Sequence, residues 1–251
     1  MILFSMKNKF LKDVINQLPT GSQQETHIKR IKAKNFIESG QVDHTGEFTI
    51  FGQLFTQIKK AKNFDCFRMN STDDRCWRAN FVGEGSIDAG GPFRDSLSNI
   101  CDELESEFLP LLVKTPNNRN VHGFNRECYL PNGESNNPTH HELFKFLGNI
   151  IGFAIRTQSP LNLHFPPIFW KQVLGETPTY DDLKGFDQYT YQTLEALRKK
   201  AKELSDEEFM AGIEETFVRV KHSGAEVELK KGGKAIKVTK QNIEEYIELN
   251  K

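Results

Sequence analysis

The sequence predicts an α+β fold that is mainly helical, and three observations carry this prediction. Apolar and polar residues alternate over Trp77–Phe81, which is the period of a strand with one covered face. From Phe93 to Phe108 the apolar residues recur every three or four positions, as in an amphipathic helix. Near the C-terminus, alternation within Glu226–Val238 is interrupted by Gly232-Gly233, a pattern typical of a β-hairpin.

The elements before this strand follow from spacing, proline and glycine. In chain order, the sequence predicts a helix over Lys7–Gln17, a loop over Gly21–Thr26, a basic run His27–Lys32 on the solvated face of a strand or helix, a loop over Gly40–Gly46, and an amphipathic helix entered through Phe48–Phe55.

The middle of the chain predicts a long loop followed by a buried helix. Asn, Pro and Gly dominate Thr115–Pro138, with one short strand around Tyr129. The apolar run Leu143–Ile155 predicts a helix buried on nearly all sides, opened by a capping box at Thr139 and Glu142. Gly148 and Gly152 lie one turn apart there and predict close approach of another helix. Pro166-Pro167 opens a further short helix.

The character of the sequence changes near Gly175, so we expect one domain over residues 1–174 and a smaller one over 175–251. The sequence of the smaller domain predicts first a helix start capped by Thr179, then a basic helix over Thr190–Leu204 and a capping box at Ser205–Glu208. It then predicts a strand over Thr216–Val220, the hairpin with its turn at Gly232-Gly233, and a last helix capped by Thr239.

The glycine-rich corner Phe81–Asp95 invites comparison with a phosphate-binding loop. A Walker loop carries a lysine and a hydroxyl residue directly after its second glycine, and both are missing here. Glu84 and Asp88 would also repel a phosphate. We therefore interpret the segment as a structural corner between a strand and the helix that Pro92 opens.

That corner resembles the signature of the HECT ubiquitin-ligase catalytic domain, in which a strand ending in Gly-Glu leads through an Asp-x-Gly-Gly turn into a long helix. Pro92-Phe93-Arg94 makes it similar to the HERC-type members. The resemblance continues in register through four further segments, Leu111–Asn117, Asn125–Leu130, Phe144–Thr157 and Ser159–Leu163.

The resemblance implies the N-terminal lobe of a HECT domain, with a helical body over residues 1–174 and a small α/β subdomain over 175–251 that docks a ubiquitin-conjugating enzyme. It places the docking groove on six positions: Thr190, Leu194, Leu197, Lys200, Ile213 and Glu215. Family members commonly present apolar or aromatic side chains where Thr190 and Lys200 stand here. The leucine stripe is also compatible with a purely structural role as core under the hairpin.

The resemblance also implies where the chemistry lies. HECT ligases receive ubiquitin on a cysteine of a second, C-terminal lobe, and we expect that lobe, and the end of the first lobe, to lie outside these residues. The chain is then expected to bind a ubiquitin-charged conjugating enzyme without catalysing transfer and without a cofactor. Protein substrates would bind through regions outside the chain. The alternative is a degenerate HECT-like scaffold or protein-interaction module without ubiquitin transfer.

Composition gives no argument for nucleic acid or membrane partners. Lysine and arginine number 33 against 34 aspartate and glutamate, so the net charge is near zero. No secretory signal is visible, and Lys145 and Asn149 interrupt the longest apolar segment. We expect a cytoplasmic protein, with the nucleus as a second possible compartment.

The cysteines and histidines predict neither a metal site nor a nucleophile. The four cysteines (Cys66, Cys76, Cys101 and Cys128) form no Cys-x-x-Cys pair. Cys128 is the candidate thiol for a self-contained enzyme, with His122 six residues before it, but Glu127 beside it disfavours a thiolate. His140 and His141 are adjacent, and adjacent helical residues do not face one another.

Overall fold

A computed structural model of the protein describes residues 2–84, 90–221 and 223–250. About 51% of it is helical with small strand pairs, which confirms the mainly helical α+β class. The helices are α1 (Ile2–Gln17), α2 (Arg30–Glu38), α3 (Ile50–Ala61), α4 (Gly91–Leu104), α5 (Pro116–Arg119), α6 (Pro138–Thr157), α7 (Pro167–Val173), α8 (Gln188–Glu203), α9 (Asp206–Gly212) and α10 (Ile243–Leu249). The strands are β1 (Gln24–Ile28), β2 (Trp77–Phe81), β3 (Leu112–Lys114), β4 (Tyr129–Pro131), β5 (Val218–Val220) and β6 (Glu226–Glu228).

The chain divides into two compact units. Unit 1 comprises Met1–Val113 and Pro131–Leu163, and unit 2 comprises Lys114–Leu130 and His164–Lys251. Unit 2 therefore takes in a segment of the middle of the chain as well as the C-terminal part. The functional division at residues 174 and 175 stays a prediction.

In unit 1, β1 and β2 form a two-stranded sheet and pair in parallel from Gln24 opposite Trp77 to Ile28 opposite Phe81. The predicted alternation of β2 is confirmed, since its odd-numbered residues are buried and its even-numbered ones exposed. The loop predicted over Gly21–Thr26 is wrong in its second half, where β1 forms. Parallel pairing with a segment about fifty residues away stabilises β1, and its local sequence gives little sign of it.

Aromatic side chains fill the core of unit 1. The ring of Phe146 on α6 contacts those of Phe51 and Phe67 edge to face, with centroids 5.1 and 5.6 Å apart. Trp77 lies against Phe93 in the same geometry at 5.1 Å. Such edge-to-face pairs are the arrangement that the ring quadrupoles favour. The core thus joins β2 to the helices on either side of it.

The predicted helices of unit 1 form, with corrections at two helix starts. Helix α1 begins at Ile2 and not at Lys7. The cap of α6 is Asn137, whose side chain accepts a hydrogen bond from the backbone N–H of His140, so the capping box predicted at Thr139 is wrong. Pro138 follows as the first helical residue, a position where its missing N–H costs nothing.

Helix α6 is amphipathic and is not buried on nearly all sides. Ile155 is exposed, whereas Phe146, Ile150 and Phe153 are buried. Among the described residues, no atom of another element lies within 4 Å of a Cβ added at Gly148 or Gly152. The close approach of a second helix predicted there is therefore wrong.

The hairpin of unit 2 forms between different strands from those predicted. β5 pairs antiparallel with β6, from Val218 opposite Glu228 to Val220 opposite Glu226. Gly232-Gly233 does not make the hairpin turn, because Gly233 packs directly on the backbone carbonyl of Phe217, where a Cβ would lie 2.3 Å from the oxygen. The glycine pair allows a close approach of two backbones.

The helix starts of unit 2 are mostly as predicted. Capping boxes form between Thr179 and Asp182 and between Ser205 and Glu208. The first opens a 3₁₀ turn over Tyr180–Gly185. Thr239 does not cap α10, which begins at Ile243 after Asn242.

Candidate docking site

The helix predicted to carry the docking groove is α8, and its apolar stripe lies in the core of unit 2. Leu194 is 2% exposed and Leu197 is 7% exposed. They pack with residues of the neighbouring elements, namely Leu183, Phe209, Ile213, Phe217, Val238, Ile243, Tyr246 and Ile247. Burial of side chains of this size stabilises a fold by about 1.5–3 kcal/mol each. The stripe therefore anchors α8 to the rest of the unit.

The six predicted groove residues fall into two groups. Leu194, Leu197 and Ile213 are buried together in one core. Lys200 and Glu215 are exposed, and Thr190 is half-buried. The structure thus brings the three apolar residues together beneath the helix and leaves the polar ones at or near the surface.

Thr190 belongs to the first turn of α8, which Asp187 caps. The backbone N–H of Thr190 donates to Oδ1 of Asp187 at 3.1 Å, and its hydroxyl donates to Oδ2 at 2.8 Å. Asp187 is buried, and Arg219 lies 3.6 Å from its Oδ2. The start of α8 is therefore held by a carboxylate at the positive end of the helix dipole.

One flank of α8 is covered by aromatic and charged side chains of unit 2. The Tyr180 and Tyr191 rings lie 4.9 Å apart, and the guanidinium of Arg198 lies 5.0 Å from the Tyr180 ring. Arg198 also binds Glu244 of α10 through two hydrogen bonds of 3.0 and 2.9 Å. Burial and the neighbouring Glu195 raise the pKa of Tyr180. This flank of α8 is therefore packed against other side chains of unit 2.

Sequence reasoning missed a second buried polar residue, Asn117, that helps to hold the start of α8. Asn117 accepts a hydrogen bond from the backbone N–H of Gln188 at 2.7 Å and donates from Nδ2 to the carbonyls of Phe124 and Lys184. An asparagine in a segment rich in Asn, Pro and Gly carries no local signal of burial. Its role depends on a contact seventy-one residues away.

All four cysteines are buried, and none is in a disulfide bond. Burial raises the pKa of Cys66 to about 12 and that of Cys101 to about 11, and it raises the pKa of Cys76 well above its usual value. A catalytic thiol needs the opposite shift and access to its substrate.

The histidines considered as metal ligands do not converge. His140 is buried in the first turn of α6, and neither of its ring nitrogens has a hydrogen-bond partner. Burial and the nearby His44 lower its pKa. His141 is exposed. Within residues 2–84, 90–221 and 223–250, no three His, Cys, Asp or Glu side chains are arranged to hold a metal ion.

The glycine corner is described only on its two sides, because residues 85–89 lie outside the described part of the chain. On the near side, Glu84 forms an ion pair with Arg30 of α2, whose Nε donates to Oε1 at 2.8 Å. On the far side, Gly90 has a φ of 114° and precedes α4.

Among the helices described, none combines the length and apolar character needed to cross a membrane.

Comparison with known proteins identifies the family. Residues 98–251 match the HECT-domain (ubiquitin-transferase) family. The chain is 34% identical over 238 residues to the E3 ubiquitin-protein ligase HERC2 of Mus musculus, covering 92% of this chain and 4% of that protein. It is 29% identical over 219 residues to the E3 ubiquitin-protein ligase UPL1 of Arabidopsis thaliana, covering 83% of this chain and 6% of that protein.

A yeast relative extends the comparison. The E3 ubiquitin-protein ligase TOM1 of Saccharomyces cerevisiae is 31% identical over 170 residues, covering 66% of this chain and 5% of that protein. The chain thus spans only a few per cent of the length of the curated relatives it matches. Since the family match covers more than half of the chain, including all of α8, the chain belongs to the HECT-domain family of ubiquitin transferases.

Proposed function

We propose that this chain is the part of a HECT-type E3 ubiquitin-protein ligase that docks a ubiquitin-charged conjugating enzyme. The observation that carries the proposal is the anchoring of α8, within the family match, by Leu194 and Leu197. Because α8 is anchored in the core, its other face has a fixed geometry. A partner that binds this face therefore loses little conformational entropy of the helix.

The burial of the apolar stripe changes which side chains are proposed to meet the partner. Leu194, Leu197 and Ile213 are proposed to hold α8 in place by packing in the core, without contacting the partner. Lys200 and Glu215 are exposed and carry opposite charges, so they suit the polar rim of a transient interface. Thr190 is half-buried, and its hydroxyl is bonded to Asp187, so its methyl group is the part proposed to contact the partner.

We propose that the docked enzyme passes its ubiquitin to a cysteine outside this chain. The burial of Cys66, Cys76, Cys101 and Cys128 supports this part of the proposal, because a thioester must form on an accessible thiolate. None of the four cysteines is in a disulfide bond, which agrees with a reducing compartment, and we propose the cytoplasm or nucleus. Protein substrates are proposed to bind outside these residues.

A scaffold that keeps the fold without binding a conjugating enzyme is the second candidate. The observation that favours it is the polar character of the predicted groove, where the Thr190 hydroxyl is already bonded and Lys200 is charged. Apolar or aromatic side chains at such positions would supply stronger anchors.

Calorimetric titration with a panel of conjugating enzymes separates the two candidates. Each enzyme carries ubiquitin through a stable isopeptide bond, so that the charge is not lost. We expect at least one to bind, and we expect Lys200→Glu to weaken that binding about ten-fold, equivalent to about 1.4 kcal/mol. Lys34→Glu, on α2 of unit 1, is the control with the same charge change. Absence of binding across the panel would favour the scaffold.

A further inference from the structure

The short helix α5 ends in a Schellman motif with valine at the position that usually holds glycine. Asn120 is the C-cap residue. The backbone N–H of Val121 donates to the carbonyl of Asn118 at 3.2 Å, and that of His122 donates to Asn117 at 3.0 Å. These two bonds define the motif, and its residue after the cap adopts the left-handed conformation. Val121 does so, with a φ of 49°.

Valine in the left-handed conformation makes the folded state less stable than glycine or asparagine would at this position. The left-handed region is strained for an L-residue, and glycine or asparagine adopts it more readily. A β-branched residue at positive φ is rarer still. The Val121 side chain recovers little of this cost by packing, because it is 70% exposed. Strained residues persist when surrounding structure fixes them, and they cluster at functional sites.

The segment around Val121 is fixed by unit 2. We call residues 120–125 the Val121 loop. Asn117, buried beneath it, donates to the Phe124 carbonyl at 2.8 Å, and Asn125 donates to the Gly185 carbonyl at 2.8 Å. Gly123 packs against Gln188, where an added Cβ would lie 2.7 Å from the Gln188 Cβ. The loop is therefore bonded to the start of α8 in one conformation.

The Val121 loop and the first turn of α8 present three large side chains to solvent. Val121 is 70% exposed, Phe124 is 68% exposed, and Tyr189, which follows the Gln188 contact, is 69% exposed. Rigid apolar and aromatic side chains of this kind are the residues that dominate binding energy when they are buried at an interface. Because the loop is already ordered, little conformational entropy would be lost when they are buried.

The segment that contains the Val121 loop is basic, which favours an acidic partner. Its charged residues between 114 and 130 are Lys114, Arg119, Arg126 and Glu127, which gives a net charge of +2. The complementary surface is an apolar patch with acidic side chains at its edge. The surface is also continuous along the chain with the proposed docking helix, since Tyr189 directly precedes Thr190.

We propose that the Val121 loop and Tyr189 form a second contact area for the ubiquitin-charged conjugating enzyme, beside the start of α8, which accepts an acidic-edged apolar patch of that enzyme. This inference rests on the proposed function and adds residues that neither the family resemblance nor the leucine stripe indicates. In this proposal the Val121 side chain contacts the partner, and its left-handed backbone conformation costs the fold some stability.

Substituting Val121 by asparagine separates binding from folding. Asparagine tolerates the left-handed conformation, so Val121→Asn should raise the melting temperature while it weakens the charged enzyme's binding about ten-fold. Phe124→Ser should also weaken binding, and raising the salt concentration should lower the affinity of the unsubstituted chain. Ile31→Asn, at a similarly exposed position on α2 of unit 1, is the control and should leave binding unchanged.

Each other outcome overturns a different statement. If the unsubstituted chain binds a charged enzyme and both loop variants bind equally well, the loop inference is wrong and the docking function stands. If no charged enzyme binds, both fail. If the loop variants lose binding of free ubiquitin but keep that of the conjugating enzyme, the chosen occupant is wrong. If Val121→Asn lowers the melting temperature in proportion to the lost binding, the valine is structural.

Discussion

At the scale of single residues, two buried carboxylates determine how the segment before α3 folds. Asp43 accepts hydrogen bonds from the backbone N–H groups of residues 46 to 49, between 2.8 and 3.1 Å. Burial opposes its ionisation, but these hydrogen bonds outweigh that effect and lower its pKa. Glu103 of α4 continues the series by accepting from Ile50 and Phe51 at 2.7 and 2.8 Å. Successive N–H groups are thus satisfied without water.

Glu103 predicts a pH-dependent stability. Burial raises its pKa to about 7 from an ordinary value of 4.5, with Asp43 adding to the effect. A carboxyl whose pKa is raised on folding favours the folded state below the unfolded pKa and loses that contribution as pH rises through the folded pKa. The free energy of unfolding of the native chain, relative to that of Glu103→Gln, should therefore fall by on the order of 3 kcal/mol from pH 4.5 to pH 7.5.

Urea denaturation at several pH values measures this difference. The free energy of unfolding is compared for the native chain, Glu103→Gln and the control Glu107→Gln, which changes an exposed carboxyl. The control should follow the native chain. A difference between native and Glu103→Gln that stays constant over this pH range would show that the carboxyl is not protonated on folding.

Val121 gives a second prediction at this scale, independent of any partner. Val121→Gly removes the left-handed strain of about 1–2 kcal/mol and adds the entropic cost of glycine, about 0.5–1 kcal/mol. We expect a net gain of about 0.5–1 kcal/mol in thermal or urea unfolding. Val220→Gly, at an exposed position in β5, should instead lower stability because glycine weakens a strand. Equal losses in both variants would contradict the strain argument.

At the scale of elements, α8 is the helix whose loss would affect unit 2 most. Leu194→Ala should lower the free energy of unfolding by about 2–5 kcal/mol, since it leaves a cavity among the residues around Phe217 and Tyr246. Thr193→Ala, on the exposed side of the same helix, should change it by less than about 0.5 kcal/mol. Circular dichroism melts of both variants measure the contrast. A small effect of Leu194→Ala would place the leucine at the surface.

Elements defined by local signals were predictable from the sequence, and those defined by distant contacts were not. The spacing over Phe93–Phe108 predicts a helix that in the structure ends at Leu104, and the Ser205 capping box predicts the start of α9 correctly. β1 has no such signal, because its order comes from pairing with β2. At Gly232-Gly233 the local signal is real but ambiguous, since glycine serves a tight turn and a close backbone contact equally well.

The candidate site was predictable only in part for the same reason. The resemblance directed attention to α8, and helical spacing grouped its leucines correctly on one face. Which face is covered depends on Phe217, Ile243 and Tyr246, which lie far along the chain. The Val121 loop gave no sequence signal, because a valine in an irregular segment reveals its φ only in the structure.

At the scale of the whole molecule, the burial of the four cysteines predicts the outcome of a ubiquitin-charging assay. The chain is incubated with ubiquitin, ATP, activating enzyme and a conjugating enzyme, and is then separated on a non-reducing gel. We expect no ubiquitin adduct that disappears with dithiothreitol. Cys128→Ala should behave as the native chain does, since Cys128 is buried. A reducible adduct lost in Cys128→Ala would make the chain an enzyme in its own right.

The discontinuity of unit 1 has a consequence for synthesis on the ribosome. Its core needs Phe146 and Phe153 of α6, which are translated after residues 114–130 of the other unit. A nascent chain that has reached only Val113 carries Phe51, Phe67 and Phe93 without their partners on α6. Such intermediates expose apolar surface and are prone to aggregate. Unit 1 is therefore expected to complete its fold only after Leu163 has left the exit tunnel, and to depend on chaperones until then.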